Sequence, residues 1–406
     1  MHPHQSAREA MRSRSVASRL AFAVSLALMM GSGTFAGYAF GVLGPNLRRD
    51  FELSRFELGL LTTVFFLVGG SLSLVAGRAA DHFGARRVMF VSLVFAAAAL
   101  VAMSLSPTYI VLLLLAALAG VALAAGNPVT NKLIAIHMAP GGRGLVMGGK
   151  QSGVQVGAFV AGAVLAPLAV AIGWRAALAW SALIPLVGIA LALAVVPADR
   201  HSAPAAAEGR SGPLPRSVFW LAGYAFLMGS GVATVNAYMP LYLVERAGAA
   251  QELAGGVAAT IGLVGIFSRI AWGWASERMR HFSLPLLLLG FGAVAAVLLL
   301  AAVESVGLWL AWPAAALFGA TAVTWNSVGM LAVITSSGVG MAGRASGVVT
   351  FGFYIGFVAS PMLFGLLVDG TSGYTLAWLL VAVGFAVTGL VIAAWRRSEA
   401  AAGLPS

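Results

Sequence analysis

Twelve long apolar stretches follow one another along the chain, at residues 18–43, 56–79, 87–106, 109–136, 144–171, 174–196, 216–244, 252–276, 282–303, 306–336, 344–368 and 373–395. A helix that crosses the hydrocarbon core of a bilayer needs about 20 such residues. No stretch shows the strict two-residue alternation of a half-buried strand, so a β-barrel is excluded. The expected fold is an all-α membrane protein of 12 transmembrane helices. Residues 197–215 divide the stretches six and six. That segment is rich in Pro, Ala, Ser and charge, and it reads as a flexible linker. The domain organisation that follows is a tail at 1–17, a six-helix bundle at 18–196, the linker at 197–215, a second six-helix bundle at 216–396 and a tail at 397–406.

Composition sharpens this picture. The 406 residues are 60% hydrophobic and 9% charged, against roughly 45–50% and 25% in soluble domains. A net charge of +11 would suit nucleic acid in a soluble chain. Here the charges gather at the ends of the apolar stretches, where they meet anionic lipid instead, so the expected surroundings are a bilayer and no nucleic acid. With the N-terminus inside, cytoplasmic segments hold sixteen arginines and the opposite side holds five, namely Arg48, Arg49, Arg55, Arg175 and Arg246. That bias places both termini and the linker in the cytoplasm. Arg8, Arg12, Arg14 and Arg19 precede the first apolar run as they would in a signal peptide. The run is longer than a signal core and no clear cleavage site follows, so it reads as the first membrane helix. A multi-pass protein of a bacterial cytoplasmic (inner) membrane is expected. The chain has no cysteine, which removes disulfides, thiol catalysis and thiolate metal sites.

The two halves echo each other. Met30-Gly31-Ser32-Gly33 returns as Met228-Gly229-Ser230-Gly231 after 198 residues, and Gly77 and Asp81 return as Gly273 and Glu277 after 196. Gly120 and Asn127 match Gly319 and Asn326, and Gly153 and Gly157 match Gly352 and Gly356, all at 199. Four pairs at nearly constant offset mark an internal repeat of one six-helix unit.

Between the second and third stretches lies Gly77-Arg78-Ala79-Ala80-Asp81-His82-Phe83-Gly84-Ala85-Arg86-Arg87. A turn this tight between membrane helices uses glycine where φ turns positive or backbones approach. Its carboxylate can accept hydrogen bonds at a helix end and pair with arginine. The spacing G-x-x-x-D-x-x-G-x-R-R resembles the signature between the second and third helices of the major facilitator superfamily of secondary transporters. The resemblance spans residues 18–396. It implies parallel repeats related by an axis along the membrane normal, a cavity lined by the first, fourth, seventh and tenth helices, and second, fifth, eighth and eleventh helices that rock against one another. It also implies a conformational gate at Gly77, Arg78, Asp81, Gly84, Arg86 and Arg87, with a degraded second copy at Gly273, Glu277 and Arg278. The plainer role for these residues is a turn that only stabilises the fold.

Polar groups inside spans are costly and are site candidates by default. Three cations remain after the loops are counted: Lys132, Lys150 and Arg269. Arg269 breaks the repeat symmetry, since Ser73 stands at its partner position, and Ser268-Arg269-Ile270-Ala271-Trp272-Gly273 resembles the eighth-helix segment of oxalate- and monocarboxylate-type carriers. Its planar guanidinium suits a carboxylate. The same group could instead bond helix backbone. Lys150, whose partner position is the apolar Val349, can bind an anion or snorkel to headgroups. Lys132 lies nearer a helix end, where snorkelling is expected. The uncharged candidates for substrate contact are Asn127 and its mate Asn326, with Asn131, Gln151, Gln155, Asn236, Tyr38, Tyr238, Trp325 and Tyr354. Any of these could hydrogen-bond helix backbones rather than a solute.

No carboxylate falls at mid-membrane, because the acids lie at helix ends, in tails or in the linker. That pattern favours an anionic or neutral small solute over a cation. The expected function is a secondary transporter moving an organic or inorganic anion by alternating access, with proton symport one way to drive it. Asn127-Pro128-Val129-Thr130-Asn131-Lys132 resembles bacterial cyanate/nitrate-related and organic-anion permeases. Efflux of hydrophobic compounds and non-transporting nutrient sensing are the alternatives. No cofactor or metal is called for. An enzyme is not expected, since no histidine sits deep in a span and no zinc-hydrolase motif occurs. One chain supplies both halves, so a monomer suffices.

Overall fold

A computed structural model of the chain describes residues 16–138, 143–197, 213–276, 278–279, 281–337 and 341–401. Most of the first tail, half of the last and most of the expected linker lie outside these residues. Among the described residues there is no strand, and twelve helices have the length and apolarity to cross a membrane. They are α1 (Leu20–Val42), α2 (Arg55–Phe83), α3 (Ala85–Ser104), α4 (Tyr109–Ile134), α5 (Gly149–Ile172), α6 (Trp174–Val195), α7 (Arg216–Glu245), α8 (Gln251–Ser276), α9 (Ser283–Ala301), α10 (Leu308–Ser337), α11 (Arg344–Thr371) and α12 (Thr375–Ser398). Helices prevail because a lipid-embedded backbone has no water to bond and must satisfy its own polar groups.

Three spans depart from regular α-helix, and one of them, α6, breaks at a turn over Ser181 and Ala182 between Trp174–Trp180 and Leu183–Val195. In α5 the turn Ala161–Leu165 widens to a π-helix. Pro167 follows, and its ring can neither bond nor tolerate the carbonyl four residues earlier, at Ala163. In α10 the helix Ala311–Ala320 stops at Thr321, whose φ and ψ are −123° and −72°, and resumes at Trp325 after a 3-10 turn over Ala322–Thr324.

The chain groups into two compact units, Met1–Ala39 with Val64–Ala205, and Phe40–Thr63 with Ala206–Ser406. In the first unit α1 meets α5 at small residues. A Cβ at Gly31 would strike the Gly153 carbonyl, and one at Gly153 would strike the carbonyl of Ala27. Phe22, Leu26, Met89, Leu93, Val129 and Leu133 form the core beside this contact. Ser92 joins α3 to α4 by donating to the Ala122 carbonyl at 3.0 Å.

In the second unit the repeat of that contact holds α7 to α11. There a Cβ at Gly352 would meet the Ala222 carbonyl, and one at Gly356 the Phe226 carbonyl. The repeated glycines thus serve close helix approach in both units. Tyr224 donates to the Leu286 carbonyl at 2.8 Å, tying α7 to α9. Residues 40–63, which include the short helix Gly44–Phe51, pack with this unit. Gly41 lies against the carbonyl of Asn236, with no room for a Cβ. That carbonyl lacks its usual helical partner because Pro240 stands four residues on and carries no N–H.

Candidate functional site

In the first unit Lys150 sits on α5 with 1% of its surface exposed. Its ammonium donates to Asn127 Oδ1 at 3.3 Å, Thr130 Oγ1 at 3.0 Å and Asn131 Oδ1 at 2.5 Å. All three acceptors come from one face of α4, because positions 127, 130 and 131 stand in the i, i+3, i+4 relation. Gln151 adds a bond from Nε2 to Asn127 Oδ1 at 3.1 Å. The Thr130 hydroxyl donates to the Gly126 carbonyl at 2.6 Å, which leaves its lone pair for the lysine. Among the described residues no carboxylate lies within ion-pair distance of Lys150. Gln155, one turn beyond Gln151, is buried, and its Oε1 has no partner among the described residues. Tyr38, on α1, is half-buried.

The glycine-rich turn belongs to the same unit. Gly84 has φ +95° at the start of α3, a conformation that disfavours any side chain. Asp81 pairs with Lys132 of α4 at 2.8 Å, and the same ammonium donates to the Ala80 carbonyl at 2.8 Å. Lys132 therefore ties α4 to the turn, where headgroup contact had been expected. Arg78 and Arg87 are exposed, while Arg86 lies over the Phe90 ring at 5.5 Å and donates to the Leu193 carbonyl at 3.3 Å. Gly77 is half-buried, and a Cβ there would meet Pro128 at an ordinary 3.6 Å.

In the second unit Arg269 serves the interruption of α10. Its Nε and Nη2 donate to the Val323 carbonyl at 3.2 and 3.0 Å, while Trp272 donates to the Ala320 carbonyl at 3.0 Å. Trp325, just past the interruption, is buried against the rings of Tyr224 and Phe353. Asn326 is half-buried beside it. It has no lysine opposite, because Val349 occupies the repeat position of Lys150, so the two matched asparagines have unlike surroundings. Asn236 and Tyr354 are half-buried. Tyr238 is fully buried, with its hydroxyl 2.5 Å from the Arg55 carbonyl and 2.9 Å from that of Pro361. Gly273 is half-buried, Arg278 covers the Trp274 ring at 3.8 Å, and Glu277 lies outside the described residues.

The family model described as Major Facilitator Superfamily matches residues 21–361. The chain belongs to the Major Facilitator Superfamily. An uncharacterized MFS-type transporter of Mycobacterium tuberculosis is 29% identical over 373 residues, covering 89% of this chain and 81% of that protein. The 3-(3-hydroxy-phenyl)propionate transporter of Escherichia coli is 26% identical over 398 residues, 93% of this chain and 94% of that protein. In fold, the chain is similar to an inward-facing, occupied crystal structure of a bacterial homolog of the human lysosomal transporter Spinster, with TM-score 0.76, 16% identity and coverage of 95% and 98%.

The superfamily is a family of transporters and not of enzymes, and this member is a multi-pass protein of the inner membrane. Two of its polar groupings are poorly marked in the sequence. Thr130 was hidden among apolar neighbours, although its helical spacing from Asn127 and Asn131 was a usable signal. The second grouping centres on Arg55 at the first turn of α2. Ser54 and Glu57 form a reciprocal cap there, Ser54 N–H to Glu57 Oε2 at 2.8 Å and Glu57 N–H to Ser54 Oγ at 3.1 Å. Arg55 pairs with Glu245 at 2.8 Å and Asp369 at 3.2 Å, and Arg48 also pairs with Glu245. Tyr374 donates to Glu245 at 2.7 Å, and burial pushes its phenol above the usual range, which keeps it a donor. The capping signature Ser-x-x-Glu was the readable trace of this grouping.

Proposed function

We propose that this superfamily member is a secondary transporter of small organic anions working by alternating access, with the polar cluster around Lys150 as the anion's site. One observation carries the reading: a buried ammonium held by neutral oxygens, with no carboxylate partner among the described residues. A buried charge without a countercharge is expensive, and a bound anion would supply the missing charge. The half-buried Asn127 and exposed Asn131 keep the cluster reachable from outside the unit. The relative named for 3-(3-hydroxyphenyl)propionate supports a carboxylate substrate. Two Arg269 nitrogens are engaged by the interrupted α10, so that side chain belongs to the framework in this reading.

The test is uptake into proteoliposomes of radiolabelled 3-(3-hydroxyphenyl)propionate, glucuronate and sulfoacetate. Saturable uptake of at least one is expected, with its KM raised about tenfold by Lys150→Met at normal membrane insertion. The proposal falls if none is taken up, or if the chain instead extrudes neutral hydrophobic dyes at a rate that Lys150→Met leaves untouched.

A further inference from the structure

Lys150 has the charge to attract an anion but not the geometry to touch one. It is 1% exposed, and each of its three N–H bonds already has an oxygen acceptor on α4. An ammonium has donors only, so any amide facing it must present its oxygen. Asn127 Oδ1 receives two donors, from Lys150 and Gln151, and Asn131 Oδ1 receives one. In a planar carboxamide the NH₂ group diverges from the oxygen at the trigonal Cγ, so it does not face the donor that the oxygen meets. Both Nδ2 groups are therefore turned away from the lysine. Among the described residues neither has an acceptor, and Asn127 is half-buried while Asn131 is exposed. The result is up to four N–H bonds offered outward from one face of α4, each made more acidic by a cation bound to its own oxygen.

We infer that Lys150 is a positioning residue, and that the groups which touch the anion are the Nδ2 amides of Asn127 and Asn131. This deepens the reading above and rests on it. The ligand class is a carboxylate or sulfonate, whose oxygens accept two or more N–H bonds at once. The lysine works through the amides by fixing their orientation and polarising them. A lysine that gripped the anion directly would have to give up oxygens it now holds.

A double-mutant cycle separates the two cases. The full chain in lipid nanodiscs is titrated calorimetrically with 3-(3-hydroxyphenyl)propionate, glucuronate and sulfoacetate. Asn131→Ala, Lys150→Met and their combination are compared, with ligand-free melting as a check on folding. Each single change is expected to weaken binding about tenfold, the loss of one hydrogen bond to a charged group. The combination is expected to cost clearly less than the product of the two single losses, because part of the lysine's effect runs through the Asn131 amide and only the part through Asn127 remains. Direct contact by Lys150 predicts otherwise: Asn131→Ala leaves affinity unchanged or raises it, and Lys150→Met costs the same in either background. That result overturns the inference while leaving the anion reading intact. Absence of binding of all three anions by the unaltered chain overturns both. Should Lys150→Met not fold, Asn131→Ala decides alone, since Asn131 is exposed.

Discussion

The carboxylate of Asp369 accepts the backbone N–H groups of Arg55 and Phe56, at 3.2 and 2.9 Å, so the end of α11 caps the first turn of α2. The same carboxylate accepts from the Arg55 side chain at 3.2 Å. One acid therefore meets two needs of a helix start, satisfying orphan N–H groups and opposing the positive end of the helix dipole. Asp369→Ala removes both and is expected to cost about 2 kcal/mol of stability. Asp369→Asn keeps an oxygen for the backbone and should cost less. Thermal unfolding of the two variants in one detergent checks the order. An alanine variant as stable as the unaltered chain would show that water replaces the cap fully.

Asp81 and Lys132 differ from that pair in exposure, with side chains 66% and 26% accessible. An exposed pair contributes little to stability, so Lys132→Met is expected to leave the melting temperature nearly unchanged. If the turn is a gate, its effect should appear in transport instead. Asp81→Lys and Lys132→Asp are each expected to slow uptake about tenfold or more, and the charge-swapped double variant to recover most of it. A double variant as slow as the singles would remove the pair from the gate.

These contrasts show what the chain discloses before it folds. All twelve spans were legible, because about 20 apolar residues in a row have few other fates. Their ends fell within a few residues of Leu20–Val42, Arg55–Phe83 and the rest. The cluster around Lys150 was half legible. A lysine next to Gly148 and Gly149 in an apolar stretch stands out, and so do Asn127 and Asn131. Their meeting depends on how α4 and α5 are rotated about their axes, which hydropathy does not encode. Asp369 and Arg55 lie 314 residues apart, and only the packing of the first turn of α2 against the end of α11, within the second unit, makes them partners. The interruption of α10 was not legible at all. Thr321-Ala322-Val323-Thr324 contains no proline or glycine, and the bonds that hold it open come from α8.

That origin makes the interruption testable. Arg269→Ala leaves the buried Val323 carbonyl without its two donors, at an expected cost of about 1–3 kcal/mol. In the framework role argued for it, the same change should alter anion affinity less than threefold. Melting temperature and calorimetric affinity measured on one preparation give both numbers. A variant that melts normally but no longer binds would return Arg269 to the anion site.

The α1–α5 contact offers the sharpest steric case. Gly153 lies so close to α1 that a Cβ would overlap the carbonyl of Ala27, a backbone atom that cannot rotate aside. Gly149, one turn earlier on α5, has open space where its Cβ would stand. In a helix both positions gain propensity from alanine, by about 1 kcal/mol. Gly149→Ala should therefore be neutral or mildly stabilising. Gly153→Ala must instead push two helices apart and is expected to destabilise by about 1–3 kcal/mol, as overpacking does. Because Lys150 lies between them on the same helix, the shift should also loosen its bonds to α4 and weaken anion binding in Gly153→Ala alone. Equal melting temperatures for the two variants would mean that α1 yields easily, and that the close approach marked by the repeated glycines is not what fixes α5.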